Sequence, residues 1–99
     1  MQTHSITLGM NIPNAGTVTN QMWIDFLNVT VLASLEYASI TDSIGIYKGT
    51  IEKSKTISVT TEDPAAVDAL QKVGDAYKQA FNQDAIMYTV TAVPILTFT

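Results

Sequence analysis

The sequence predicts an α+β fold, a ferredoxin-like split βαβ in which an antiparallel sheet carries two helices on one face. Three observations lead there. Segments of two-residue alternation and segments of three-and-four spacing succeed one another in the order β-α-β-β-α-β. The second and third strand segments are joined by a connection about the length of a hairpin loop. Two βαβ-like halves with short, right-handed connections close into this topology. With 99 residues there is enough chain for one core and not for two, so residues 1–99 are read as a single domain.

Near the N-terminus, in residues 5–10, Ile6, Leu8 and Met10 alternate with Ser5, Thr7 and Gly9, the pattern of a half-buried strand. Residues 11–16 read as a loop from their Pro, Asn and Gly content. Thr19 is placed to cap a helix that carries Met22, Trp23, Phe26, Leu27, Thr30 and Val31 at helical spacing. The β-branched run after Asn28 weakens its second half, and its end is expected near Glu36.

Residues 39–48 alternate again, Ile40, Ile44 and Ile46 against Thr41, Ser43, Gly45 and Tyr47. Residues 55–61 set Ile57 and Val59 against Thr56, Ser58 and Thr60, with residues 49–54 read as the connecting loop. Asp63 and Pro64 open the second helix as N-cap and first helical residue. Its apolar stripe is Ala66, Leu70, Val73, Tyr77 and Phe81, and Asp68 and Lys72 form an i,i+4 pair on the other side. Residues 85–93 close the sheet, and Pro94 limits the residues after it to an edge or a tail. The expected core is Ile6, Leu8, Trp23, Phe26, Ile44, Ile57, Val59, Leu70, Tyr77, Phe81 and Val90.

Composition excludes several function classes. A net charge of −4 and the absence of arginine argue against nucleic acid and against an anionic membrane surface. With no cysteine there is no disulfide, thiolate nucleophile or zinc–sulfur site. No segment approaches the roughly 18 apolar residues of a membrane span, and the first residues lack the pattern of a signal peptide. A cytoplasmic protein is expected, an exported form with a trimmed leader being the alternative. No metal-ligand spacing and no phosphate-cradling glycine loop occurs, so neither a metal nor a cofactor is expected.

Several features together resemble a family of small bacterial proteins, many of them exported, known only as a domain of unknown function. They are Trp23 with Phe26, the strand around Gly45 leading into Glu52, Ser54 and Lys55, and the run Tyr77-Lys78-Gln79-Ala80-Phe81-Asn82-Gln83-Asp84. The last two are similar to an E-x-S-K and a Y-K-x-x-F-x-Q-[E/D] element. Ile46-Tyr47-Lys48 stand where that family has an aromatic and a basic residue, and its arginines are missing here. The resemblance implies the fold and no activity.

Candidate chemistry is sparse. His4, the one histidine, has no orienting partner pattern and reads as a frayed terminal residue. Asp42 alternates onto the core side, where a satisfied structural carboxylate is expected. Asn28-Val29-Thr30 fits a glycosylation acceptor, but inside a helix it reads as chance. Lys48, Lys53 and Lys55 are three of the five lysines. Lys48 and Lys53 dress a turn, whereas Lys55 shares a face with Ile57 and Val59 and must snorkel or find a partner, Glu52 being a candidate. Lys78 and Gln83, at the end of the second helix, are expected to help form a small polar pocket there. The expected ligand-binding set is Lys55, Ser54, Tyr47, Glu52 and Lys78.

The other sheet face should present Thr7, Gly9, Thr41, Ser43, Gly45, Tyr47, Thr56, Ser58, Thr60, Thr89 and Thr91, small side chains without charge. A solvated sheet face ordinarily carries Lys and Glu, so this one suits packing against a second copy, a homo-oligomer through the Ser/Thr face. The expected function is a non-enzymatic small-ligand-binding protein. In its most specific form it sequesters a small anionic or nucleotide-like signal, as a phage-encoded sponge would. The alternatives are a small dimeric enzyme using Tyr47 or Asp42 as acid or base, and a protein-interaction module.

Overall fold

The structure, a computed structural model, describes residues 1–94, the side chain of Tyr47 excepted. Its elements are β1 (Gln2–Gly9), β2 (Asn11–Ile12), β3 (Gly16–Thr17), α1 (Asn20–Phe26), a π-helical turn (Leu27–Val31), α2 (Leu32–Ser34), β4 (Ser39–Tyr47), β5 (Thr50–Thr61), α3 (Pro64–Ala80) and β6 (Met87–Ala92). The main sheet is antiparallel in the order β4-β5-β1-β6, with β1 and β5 central. That is the expected split βαβ. The tail expected beyond Pro94 lies outside the described residues.

Strand alternation sets which side is buried. Ile6, Leu8, Ile57 and Val59 point under the helices and are at most 2% exposed. Leu70, Val73 and Tyr77 of α3 close over them, and Trp23, Phe26 and Val31 come from the first helical segment. Phe26 meets Tyr77 edge-on at 5.3 Å, and Phe81 packs on Tyr77 at 4.8 Å, distances at which aromatic pairs attract. Met10 and Val18 also join the core.

The helix starts were legible. Thr19 Oγ1 accepts from the Met22 amide at 3.1 Å, and the Asp63 carboxylate accepts from the Ala65 amide at 2.9 Å ahead of Pro64. Asp68 and Lys72 pair at 3.0 Å as expected. The first helix does not run unbroken to Glu36. Val29, Thr30 and Val31 crowd its wall, and the backbone widens into a π turn before the last helical residues, Leu32–Ser34.

Two strands are longer than the alternation suggested. β1 begins at Gln2, and β5 begins at Thr50, so residues 50–54 are strand and not loop. The hairpin turns on Lys48 and Gly49 alone, both with positive φ (50° and 78°), as a type I′ turn requires. β1 pairs with β5 only from Ser54 onward. Residues 44–47 and 50–53 therefore pair with each other in a two-stranded arm that extends past the β1 pairing. This corrects two core assignments: Ile44, on the arm, is 67% exposed, and Val90, on the edge strand β6, is 45% exposed. Neither side chain is deeply covered by a helix among the described residues.

On the open face the hydroxyls form cross-strand pairs: Thr3 with Thr60 at 2.7 Å, Ser5 with Ser58 at 2.8 Å, Thr7 with Thr56 at 3.2 Å and Ser43 with Ser54 at 2.6 Å. The registers align these pairs into rows, such as Ser39, Ser58, Ser5 and Thr89 across all four strands. Among the described residues no helix is long and apolar enough to cross a membrane.

Candidate functional site

A cleft of about 800 Å³ lies between the root of the arm and the connection from β1 to α1. Met10, Val18 and the indole of Trp23 supply its apolar side, and Asn11, Thr19 and Asn20 a polar one. The arm and the strand residues at its root contribute Asp42, Ser43 and Ile44 from β4, and Ile51, Lys53, Ser54 and Lys55 from β5.

The two-residue turn brings the charged pair together. A turn at Lys48-Gly49 sets Tyr47 opposite Thr50, and counting back along both strands sets Asp42 opposite Lys55. Lys55 Nζ donates to Asp42 Oδ1 at 2.5 Å and stands 5.5 Å from the centroid of the Trp23 ring, within cation–π range. The Lys55 side chain is 20% exposed and that of Asp42 77%. The lysine stem is thus buried on the sheet while its ammonium emerges in the cleft. An ion pair with one partner so exposed is worth under about 1 kcal/mol. A ligand anion can replace Asp42 at little cost.

The partner expected for Lys55 is not the observed one. Glu52 sits an odd number of residues from Lys55 and so points to the opposite face. Its carboxylate fills the space above Gly9, where a Cβ would come within 2.0 Å of Oε1. Asp42 does lie on the helix side as expected, yet it is held at the solvent edge and not in the core. Ser54 stands at the cleft rim with its hydroxyl bonded to Ser43. Lys53 lines the cleft and is exposed. Lys78 is not among the cleft residues: it pairs with Asp75 at 3.6 Å one turn back on α3. The Tyr47 side chain lies outside the described residues.

The pocket expected at the end of α3 is a clamp instead. Tyr77 donates its hydroxyl hydrogen to the Gly9 carbonyl at 2.6 Å, and Gln83 Nε2 donates to the Asn11 carbonyl at 2.8 Å and the Phe81 carbonyl at 3.1 Å. Tyr77, Phe81 and Gln83 of the Y-K-x-x-F-x-Q run thereby fix the end of β1 and the start of the cleft's polar wall. Burial, and secondarily the Glu52 charge, pushes the Tyr77 phenol up to about 12. It stays a hydrogen-bond donor at every ordinary pH.

His4 is buried, not frayed. Because β1 starts at Gln2, the ring faces the helices and its Nδ1 bonds the Tyr88 hydroxyl. It borders a smaller hollow of about 340 Å³ with Glu62 and Asp68, away from the cleft residues.

Sequence reasoning treated Trp23 only as core and did not place Lys53 in a site. The Lys-Gly dipeptide between two alternating runs was the signal available, since a type I′ turn there fixes the register that pairs Asp42 with Lys55.

A family model covers residues 3–96. The chain belongs to the family described as protein of unknown function, DUF3574. Among solved structures, this DUF3574 chain is similar to a phage SAM lyase in complex with S-methyl-5′-thioadenosine. The identity is 18%, the TM-score 0.64, and the match covers 91% of this chain and 79% of that one. The same lyase in the apo state matches at 20% identity and TM-score 0.64, over 91% of this chain and 78% of that one. A de novo designed protein, Foldit4, matches at 10% identity and TM-score 0.57, over 93% and 97%. Likeness at such identities is likeness of fold. No curated protein matches the chain.

Proposed function

We propose that this DUF3574 protein binds a small anionic, nucleotide-like molecule in the cleft between the arm and α1, acting as a homo-oligomer through its Ser/Thr sheet face. The observation that carries the reading is the convergence of Lys55, Trp23, Asp42 and Lys53 on one cleft of about 800 Å³. That volume is in the range of small-molecule sites. Met10, Val18 and Ile44 offer apolar contact to a base, Thr17, Asn11 and Asn20 suit a sugar, and Lys53 and Lys55 suit an anion. The phage lyase of similar fold is in complex with an uncharged nucleoside, S-methyl-5′-thioadenosine, which supports the nucleoside part of this reading, the anionic part resting on the lysines. A sequestering role, in the cytoplasm where nucleotides reside, is the specific form of the reading.

Calorimetry with adenosine 5′-monophosphate and with S-methyl-5′-thioadenosine tests it. Binding of the anionic nucleotide should be the tighter of the two and should weaken with added salt, as screened lysines require. Absence of heat and of retained ligand for both probes at millimolar concentration overturns the reading.

A second reading, a lyase, is favoured by one feature: Asp42 is the carboxylate among the described residues that line the cleft. Hydrogen-bonded to Lys55 at the cleft edge, its carboxylate is placed to take the proton that an elimination removes as the thioether leaves. Incubation with SAM followed by mass spectrometry decides between the two, since turnover lost in Asp42→Asn would establish the enzyme.

A further inference from the structure

We infer that the β4–β5 arm is a docking surface for a second copy of this chain, and that this second copy closes the cleft at the arm's root. The inference rests on the ligand-binding reading for its second half only. Ile44, Ile46 and Ile51 share the helix-side face of the arm, through the pairing of Ile46 with Ile51 and of Ile44 with Lys53. They are 67%, 78% and 67% exposed, and among the described residues the two-stranded ribbon that carries them has no helix to lean on. Three adjoining isoleucines left bare on a projecting ribbon form an apolar patch that a folded chain ordinarily covers.

Charge points to the occupant. The arm and its turn, residues 44–53, hold Lys48 and Lys53 against Glu52, a net of +1, while the other 89 residues hold eight acids against three lysines, a net of −5. The arm is therefore complementary to the body of another copy of the same chain and is repelled by another arm. That favours a head-to-tail contact, arm on body, of the kind that closes into a ring. The cleft argues the same way. Ile44 and Ile51 line it, yet each stays two-thirds exposed, so one copy alone leaves the outer wall open. A ligand site that buries most of its occupant needs another surface there, and the copy seated on the arm supplies it.

Ile46→Asp separates the outcomes, because Ile46 is exposed and does not line the cleft. Sedimentation over a concentration series should show the wild-type chain as an oligomer at micromolar concentration and Ile46→Asp associating at least tenfold more weakly. Circular dichroism should show both proteins equally folded, the variant's unfolding midpoint falling only by what the lost association contributed. Binding of adenosine 5′-monophosphate should weaken in step with the loss of assembly. A monomeric wild-type chain, or a variant that assembles as the wild type does, overturns the inference. So does a variant that has lost this association and still binds the nucleotide as tightly as the wild type, since the site would then be complete without the docked arm. If Ile46→Asp dissociates the oligomer but neither protein binds either nucleoside probe, arm docking is upheld and the ligand reading is what fails.

Discussion

Lys55 and Lys53 lie two residues apart on one strand face and differ in what surrounds them. The Lys55 stem is buried beside Trp23 and its ammonium is held in the cleft, whereas Lys53 is exposed. A fixed charge costs little further entropy on binding, and an exposed one is screened by water and salt. Lys55→Ala should therefore weaken nucleotide binding more than tenfold, about 1.4 kcal/mol or more. Lys53→Ala should change it less than threefold. Calorimetry on the two variants checks this, and equal small effects would mean the lysines only dress the arm. Tyr77 makes a second prediction at this scale. Its folded pKa lies above its ordinary 10.0, at about 12, so the native state holds the phenolic proton more tightly than the unfolded chain does. The contribution is complete below pH 10, fades as pH rises toward 12, and amounts to roughly 2–3 kcal/mol at 1.36 kcal/mol per unit. Denaturant melts between pH 9 and about 12 should show that decline in the wild type and a flatter profile in Tyr77→Phe.

Among the elements, α3 is where packing is most determinate. Leu70 is 0% exposed against β1 and β5, and Leu70→Ala should cost roughly 2–5 kcal/mol. A cost below about 0.5 kcal/mol would mean α3 is not seated as described. Gly74, one turn further on, has the opposite expectation. A Cβ there would meet Ile6 Cδ1 at 3.7 Å and Ile86 Cγ2 at 3.9 Å, ordinary contact distances. Gly74→Ala should raise stability by up to about 1 kcal/mol, because alanine loses less backbone freedom in a helix than glycine does. Equilibrium urea unfolding reads both variants. Gly9 contrasts with it, since any side chain there must displace the Glu52 carboxylate from its place over the strand.

For the whole molecule, the distribution of charge matters more than its total. The open face of the sheet carries hydroxyls rather than charges, and Thr3 with Thr60, Ser5 with Ser58 and Thr7 with Thr56 bond one another across the strands. Ser58 lies near the middle of that face, between Ser39 and Ser5. Ser58→Lys places a charge where the neighbouring copy is proposed to pack, and an unpaired charge buried in an interface is costly. Association through this face should be lost, leaving only the contact made by the arm, while circular dichroism shows each protomer folded. Native mass spectrometry that finds the wild type monomeric at micromolar concentration disposes of that assembly.

Alternation and spacing determined most of the fold, because a period of 2 or 3.6 states directly which side chains share a face. Ile6 with Leu8, Ile57 with Val59, and the α3 stripe were legible for that reason, as were the caps at Thr19 and Asp63, which depend on neighbours in sequence alone. Alternation also placed Lys55 on the helix side and the Ser/Thr rows on the other. It could not say how far the sheet extends beneath the helices. Ile44 obeys the same pattern as Ile57 and is bare, since β1 ends before it and none of the described helices reaches the arm. The partner of Lys55 was hidden for a related reason. Glu52 is near in sequence but on the wrong face, and Asp42 becomes a neighbour only when a two-residue turn sets the register. His4 likewise became a core residue only through pairing on both sides of β1. Periodicity belongs to the chain, whereas burial and partnership belong to contacts between segments far apart along it, and those exist only once the sheet has formed.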